Sequence, residues 1–319
     1  MKILIPGAAT ELGLELIRQL AGSHDVTGLV ERQSQADKVS QSGTNVLVTD
    51  FADALDLERA MHEAQADIVL NLAPQYSNTL LHDGLAWRNS EKSLPAETAA
   101  LLHAANDSDI SYLLHASYAF LYGPAPDSSG GTADESTPIA RPAKNKLFSA
   151  AIEAEKMVAA NKHFPVCIMR IGYLYGPQSR DLALYEASFK LRRPYYAGSK
   201  KHVGNFVHFS DAARAIALAA EKQPADEIIN VVDGTVVSFG TFIDTYANCL
   251  GRKKPRRLPT TAVRFLPLTI APQQIKQLNI RAAQVDSSKA GDLLGWTPEY
   301  PSYEQGLAQT VRVQRGQKD

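Results

Sequence analysis

The stretch KILIPGAATELG, Lys2 to Gly13, joins a short apolar run to the start of an amphipathic helix that continues to Leu20. Lys2 to Ile5 reads as a strand, because the run is short, apolar and closed by Pro6-Gly7. Gly7 permits a tight turn, and Gly13 permits close packing of the helix on the strand. Ala9, Thr10, Glu11 and Leu12 lie between them, at a helix N-terminus whose amides and dipole can hold a diphosphate. Thr10 stands where the commonest version of this turn has a further glycine, so its side chain is expected to crowd the phosphate. The alternative is a strand-to-helix turn in which the glycines serve geometry alone.

Working outward, apolar runs at Asp25–Val30, Asn45–Val48, Ile68–Leu72, Ile110–Ala116 and Val166–Ile171 alternate with helical patterns at Leu55–Ala64, Trp87–Asn106 and Ser149–Asn161. That order implies an α/β fold, a Rossmann-like doubly wound parallel sheet whose ligands bind beyond the carboxyl ends of the strands. After Gly176-Pro177 the pattern becomes irregular, with Arg192-Arg193-Pro194-Tyr195-Tyr196 and Lys200-Lys201-His202. The expected organisation is a dinucleotide-binding domain over 1–176, with a return segment at about 205–232, and a smaller C-terminal α/β substrate domain over 177–319.

The chain has 319 residues, 45% of them hydrophobic and 21% charged, with a formal net charge of -1. This composition suits a globular protein with a sizeable core and gives no long-range positive field for nucleic acid or an anionic membrane. No segment approaches the roughly 20 apolar residues that span a bilayer. The two cysteines, Cys167 and Cys249, lack metal-ligand spacing and read as reduced thiols of a cytoplasmic protein. No His, Cys, Asp and Glu cluster has ligand spacing either, so no metal is expected. The expected partner is a small molecule.

At the end of the second strand, Glu31 is placed to accept hydrogen bonds from an adenosine ribose, whereas Arg32 beside it can pair with a 2'-phosphate. These residues point to NAD and NADP respectively and leave the choice open. Asp50, after the third strand, suits either an adenine amine or the cap of the next helix.

Seven segments in order, LIPGAATELG (4–13), DIVLNLA (67–73), HASYAFLYG (115–123), RIGYLYGP (170–177), NFVHFSDAA (205–213), INVVDG (229–234) and LLGWTP (293–298), give a chain that resembles the extended short-chain dehydrogenases/reductases, the NAD-dependent epimerase/dehydratase group. The resemblance implies that Leu72, Ala73 and Tyr173 face the cofactor and that Tyr122, Tyr175 and Lys201 face the substrate. It also implies a homodimer formed through segments near 87–106 and 146–161.

In that family a tyrosine moves a substrate hydroxyl proton, a lysine four residues later lowers its pKa, and a strand-end serine orients the substrate. Aligning Glu155 with the family's acidic residue puts Ala151 at the lysine position and Leu147 at the tyrosine position. Tyr118 falls at the serine position, one residue after Ser117. Neither alanine nor leucine carries a proton. Tyr118 and Ser117 are therefore the candidate catalytic residues, with Lys144 or Lys146 near them, and the alternative is that Tyr118 only fills volume. Tyr173 and Gly204 stand where relatives often have a polar residue and an arginine for the nucleotide sugar; Arg193, Lys200 and Lys201 could replace that arginine. His208 reads as part of the segment returning to the core, and Asp211 as the cap of the helix from Ala212 to Glu221. Two functions follow: an NAD(P)-dependent oxidoreductase, epimerase or dehydratase with a rebuilt proton relay, or a non-catalytic NAD(P)-binding sensor, regulator or assembly protein.

Overall fold

The computed structural model describes residues 1–74, 84–123, 131–139, 146–190, 195–197, 203–258 and 283–316. Strand β1 (Lys2–Pro6) leads into helix α1 (Glu11–Leu20), followed by β2 (Asp25–Val30), α2 (Gln33–Ser40), β3 (Asn45–Val48), α3 (Ala54–Ala64), β4 (Ile68–Asn71), α4 (Gly84–Asn106) and β5 (Tyr112–Tyr118). A 3₁₀ turn (Ala119–Tyr122), β6 (Thr132–Ala133), α5 (Lys146–Ala160), β7 (Val166–Ile171), β8 (Tyr173–Tyr175), α6 (Arg180–Lys190), β9 (Tyr195–Ala197) and β10 (Val203–His208) come next. Helix α7 (Phe209–Lys222) and strand β11 (Glu227–Val231) complete the main sheet.

That sheet has seven strands in the order β11-β7-β5-β4-β1-β2-β3, with every neighbouring pair parallel. The period-2 alternation of its central strands makes two apolar faces. Ile3, Ile5, Leu70, Leu114 and Met169 join one core with α1 and α7, while Leu4, Val69, Leu113 and Ile168 join another with α3, α4 and α5. Both faces are therefore covered by helices, the physical content of a doubly wound sheet. The expected strands and helices are present with end shifts of a few residues. Helix α2 was not foreseen, because it buries only Ala36 and Val39 and so carries little apolar periodicity. The seventh strand, β11, comes from the expected return segment.

A second apolar centre gathers rings from the 3₁₀ turn, β8, β10 and two helices, α8 (Phe239–Cys249) and the C-terminal helix Tyr303–Gln314. Phe206 stacks on Phe242 with centroids 4.2 Å apart, and Tyr175 meets Phe242 edge-on at 5.2 Å. The chain's last segment is tied to α7 by Asp211, whose carboxylate accepts from the amides of Glu299 at 2.6 Å and Tyr300 at 3.0 Å. Asp211 is thus not the cap expected of it. His208 is the N-cap of α7, its Nδ1 accepting from the Ser210 amide at 3.3 Å.

Beside this clasp lie two buried polar atoms, the Tyr175 hydroxyl and Asp233 Oδ2, that have no hydrogen-bond partner among the described residues. Burial raises the Asp233 carboxyl to about 7, with the hydrogen bonds from Thr235 opposing and Glu304 and Asp211 adding to the rise. Its ionised form is therefore disfavoured in the fold but not in the unfolded chain, so the cost is absent below about pH 4 and complete above about pH 7. Asp233→Asn removes that cost while keeping the oxygen that accepts from Thr235. The variant should unfold at a higher temperature than the parent at pH 8, by at most about 4 kcal/mol of stability, and equal it at pH 4; thermal melts across this range are the check.

Candidate functional site

The phosphate turn is held from three sides. The Gly7 amide donates to the Leu29 carbonyl of β2 at 3.1 Å, and the Leu72 amide after β4 donates to the Pro6 carbonyl at 2.8 Å. Gly7 has φ +84, and a Cβ there would lie 2.6 Å from the Ala73 nitrogen. A Cβ on Gly13 would lie 2.6 Å from the Ala8 carbonyl oxygen, so the helix packs on the turn at a distance only glycine allows.

Thr10 corrects the expectation drawn from its size. It caps α1 with φ -68 and ψ 159, its hydroxyl donating to the Gly7 carbonyl at 2.8 Å and accepting from the Gly13 amide at 2.9 Å. The side chain folds back into the turn, where it supplies the N-cap that glycine cannot. The amides of Ala9, Glu11 and Leu12 have no partner among the described residues. A cradle closed to any Cβ and left with open N–H groups fits a diphosphate.

At the adenosine end, Glu31 and Arg32 are exposed at the tip of β2, and both amides donate to the Gln35 side chain. Partial burial raises the Glu31 carboxyl, Arg32 opposes, and Asp50 adds to the rise. Asp50 accepts from the Ala52 amide at 2.9 Å; the cap of α3 is Asp53. Beside them lies a narrow, mostly apolar recess lined by Pro6, Phe51, Leu57, Ala73, Leu94 and Glu97, among others. Glu97, on α4, is raised mainly by burial, with Glu31 and Asp50 adding to the rise. Sequence reasoning missed Glu97, since nothing in a lone helical glutamate marks the face it occupies.

The end of β4 is set by Asn71, whose Oδ1 accepts from the Ala73 amide at 3.1 Å and whose Nδ2 meets His115 Nδ1 at 3.1 Å. Burial lowers His115 to about 4, so it is neutral at physiological pH and serves as a core acceptor. Behind the crevice, Ser117 donates to Glu155 at 2.5 Å, and Arg170 grips the same carboxylate through Nη2 at 2.7 Å. Arg170 also donates to the Tyr122 hydroxyl at 2.9 Å, which donates to Asn230 Oδ1 at 2.9 Å. These hydroxyls are engaged in a buried network joining β5, α5, β7 and β11.

Tyr118 is buried, and its hydroxyl donates to the Pro74 carbonyl beyond β4. Its ring stacks on Phe120 at 4.7 Å, and Phe120 stacks on Tyr173 at 5.3 Å. Burial raises the Tyr173 phenol well above its ordinary value. Ala151 is 2% exposed and belongs to the same apolar cluster as Leu94, Tyr118, Phe120 and Tyr173. Leu147 lies in the first turn of α5. Tyr175 is buried in the aromatic centre. Lys144, Arg193, Lys200 and Lys201 lie outside the described residues. Among the described residues no group of three or more His, Cys, Asp and Glu could hold a metal ion.

A seven-stranded parallel sheet with a glycine-closed phosphate turn after its first strand defines a dinucleotide-binding protein of the extended short-chain dehydrogenase/reductase type. Residues 3–232 match the NAD dependent epimerase/dehydratase family, and the chain belongs to that family. It is 28% identical over 319 residues to a 3-diazoavenalumate denitrifying reductase of a Streptomyces species, across 96% of this chain and 99% of that protein. A dTDP-glucose 4,6-dehydratase of Xanthomonas campestris is 27% identical over 305 residues, across 89% of this chain and 80% of its own. Among solved structures, the Thermus thermophilus UDP-glucose 4-epimerase in complex with NAD superposes with a TM-score of 0.80 at 22% identity, covering 99% of each chain. That likeness bears on the fold. Among the described residues no helix is long and apolar enough to cross a membrane.

Gly13→Asp should abolish dinucleotide binding, because a side chain there meets the Ala8 and Gly7 carbonyls and its charge repels the diphosphate. Titration of the folded variant with each of the four coenzymes is the check; unchanged affinity would place the site elsewhere.

Proposed function

We propose that this chain is a reductase that holds a nicotinamide dinucleotide on the Gly7–Gly13 turn and acts on a small molecule without the family's tyrosine–lysine proton relay. The observation that carries this reading is Ala151, buried in an apolar cluster at the position where the relay needs an ammonium. A phenol without such a neighbour keeps its proton at neutral pH, and burial raises the Tyr173 phenol further. Tyr118 is engaged by the Pro74 carbonyl, and Ser117 by Glu155. Withdrawal of a proton from a sugar hydroxyl, which epimerase and dehydratase chemistry of the relay type requires, has no base here among the described residues.

A bound reduced nicotinamide supplies hydride. The chain supplies the rest: open amides of Ala9, Glu11 and Leu12 for the diphosphate, Glu31 for the adenosine ribose, and the stacked rings of Tyr118, Phe120 and Tyr173 as an apolar wall that excludes water. The part of 177–319 outside the returning α7 and β11 would bear the substrate. Support from outside the chain is the match to a reductase over nearly the full length of both proteins.

The test sets two kinds of substrate against each other. With NADH or NADPH, 3-diazoavenalumate should be consumed with loss of reduced-nicotinamide absorbance. UDP-glucose and dTDP-glucose incubated with NAD+ should return unchanged by NMR. Epimerisation or dehydration of either sugar would contradict the proposal.

A further inference from the structure

The C-terminal helix Tyr303–Gln314 is seated on two acidic residues, one fully partnered and one not. Asp211 of α7 takes the Glu299 and Tyr300 amides on its carboxylate, and its carbonyl accepts from the indole of Trp296 at 2.9 Å. Asp233, in the turn after β11, accepts on Oδ1 from the Thr235 amide at 3.0 Å and the Thr235 hydroxyl at 2.8 Å. That hydroxyl in turn accepts from the Tyr303 amide at 3.4 Å. Gly234 passes under the Pro301 carbonyl, which a Cβ there would meet at 3.6 Å, and Gly306 sits so close to Tyr175 that a Cβ would overlap its hydroxyl. Asp233 and Tyr175 are thus buried beneath the first turns of the helix.

The groups around Asp233 do not help it ionise. Burial raises its carboxyl, and Glu304 on the helix and Asp211 on α7 raise it further. Arg214 of α7 is spent on Asp211 at 3.4 Å and on the Thr297 carbonyl. His208 of β10 is lowered to about 4 by burial and stays neutral, and burial raises the phenols of Tyr175 on β8 and Tyr303 on the helix, so none of the three supplies a positive charge. A carboxylate at Asp233 is therefore uncompensated while the helix is docked, and lifting the helix admits water to it.

We infer that the C-terminal helix is a proton-dependent strap, seated while Asp233 carries its proton and lifting more often as the carboxylate forms. Burial of Tyr303, Leu307 and Val311 opposes release, so the lifted form is a minor state whose population grows with pH. In that form the carboxyl returns to its ordinary value of about 4. Between about pH 4 and about pH 7 the docked form alone holds the proton, so the lifted fraction rises about tenfold per unit and levels off above. The strap also backs the aromatic wall: Tyr303 meets Phe242 at 6.0 Å, Phe242 stacks on Phe206 at 4.2 Å, and Phe206 meets Tyr173 at 6.0 Å. This holds whether or not the glycine turn carries a dinucleotide.

Amide hydrogen exchange of the full chain, followed by NMR from about pH 5 to about pH 8 and corrected for the intrinsic rate at each pH, tests the strap. Amides 307–311 should exchange ahead of those of β4 and β5, with protection falling about tenfold per unit up to about pH 7 and level beyond it. Asp233→Asn, shown by thermal melts to be folded, should lose that fall. Protection equal to that of β4 and β5, protection that does not change with pH, or the same fall in Asp233→Asn overturns the inference. If the Asn variant does not fold, Glu304→Gln takes its place and should level off at a lower pH than the parent; levelling at the parent's pH overturns the inference equally.

Discussion

Three backbone segments converge at the carboxyl end of β1: the turn after Pro6, the end of β4 at Leu72-Ala73, and β2 at Leu29. Hydrogen bonds of 3.1 Å from Gly7 to Leu29 and 2.8 Å from Leu72 to Pro6 lock them together. At this spacing there is no room for a Cβ at residues 7 and 13, and that constraint points the amides of Ala9, Glu11 and Leu12 outward. The rest of the candidate site is arranged around this opening, with the adenosine end beyond β2 and β3 and the aromatic wall beyond β5 and β7.

A second constraint holds the far side. Glu155 and Arg170 form a buried pair with a further hydrogen bond from Ser117, and Arg170 extends it through Tyr122 to Asn230. Removing one member of such a pair would leave a buried charge uncompensated, typically at about 3–5 kcal/mol. This network fixes α5 against β5 and β7.

Much of the fold was legible because its signals are repetitive. Short apolar runs alternating with helical periods state a parallel sheet, and Gly7 and Gly13 state the turn. The meaning of Thr10 was not legible, since a threonine at that position reads as an obstruction until its hydroxyl is seen to cap α1. Tyr118 read equally as a proton donor or as packing, and only the Pro74 carbonyl and the stacked ring of Phe120 show how it is engaged. Glu97 is a long-range feature, brought to the recess by the packing of α4, and no local pattern announces it.

The central claim is that the open amides of the turn grip the diphosphate of a nicotinamide coenzyme. The most direct measurement is the backbone amide spectrum of the isotope-labelled chain during titration with NADH and NADPH. The account predicts saturable shifts at Ala9, Glu11 and Leu12, with the amides of the sheet's opposite end unmoved. Saturable binding that leaves those three resonances in place, or no binding of either coenzyme, would contradict it.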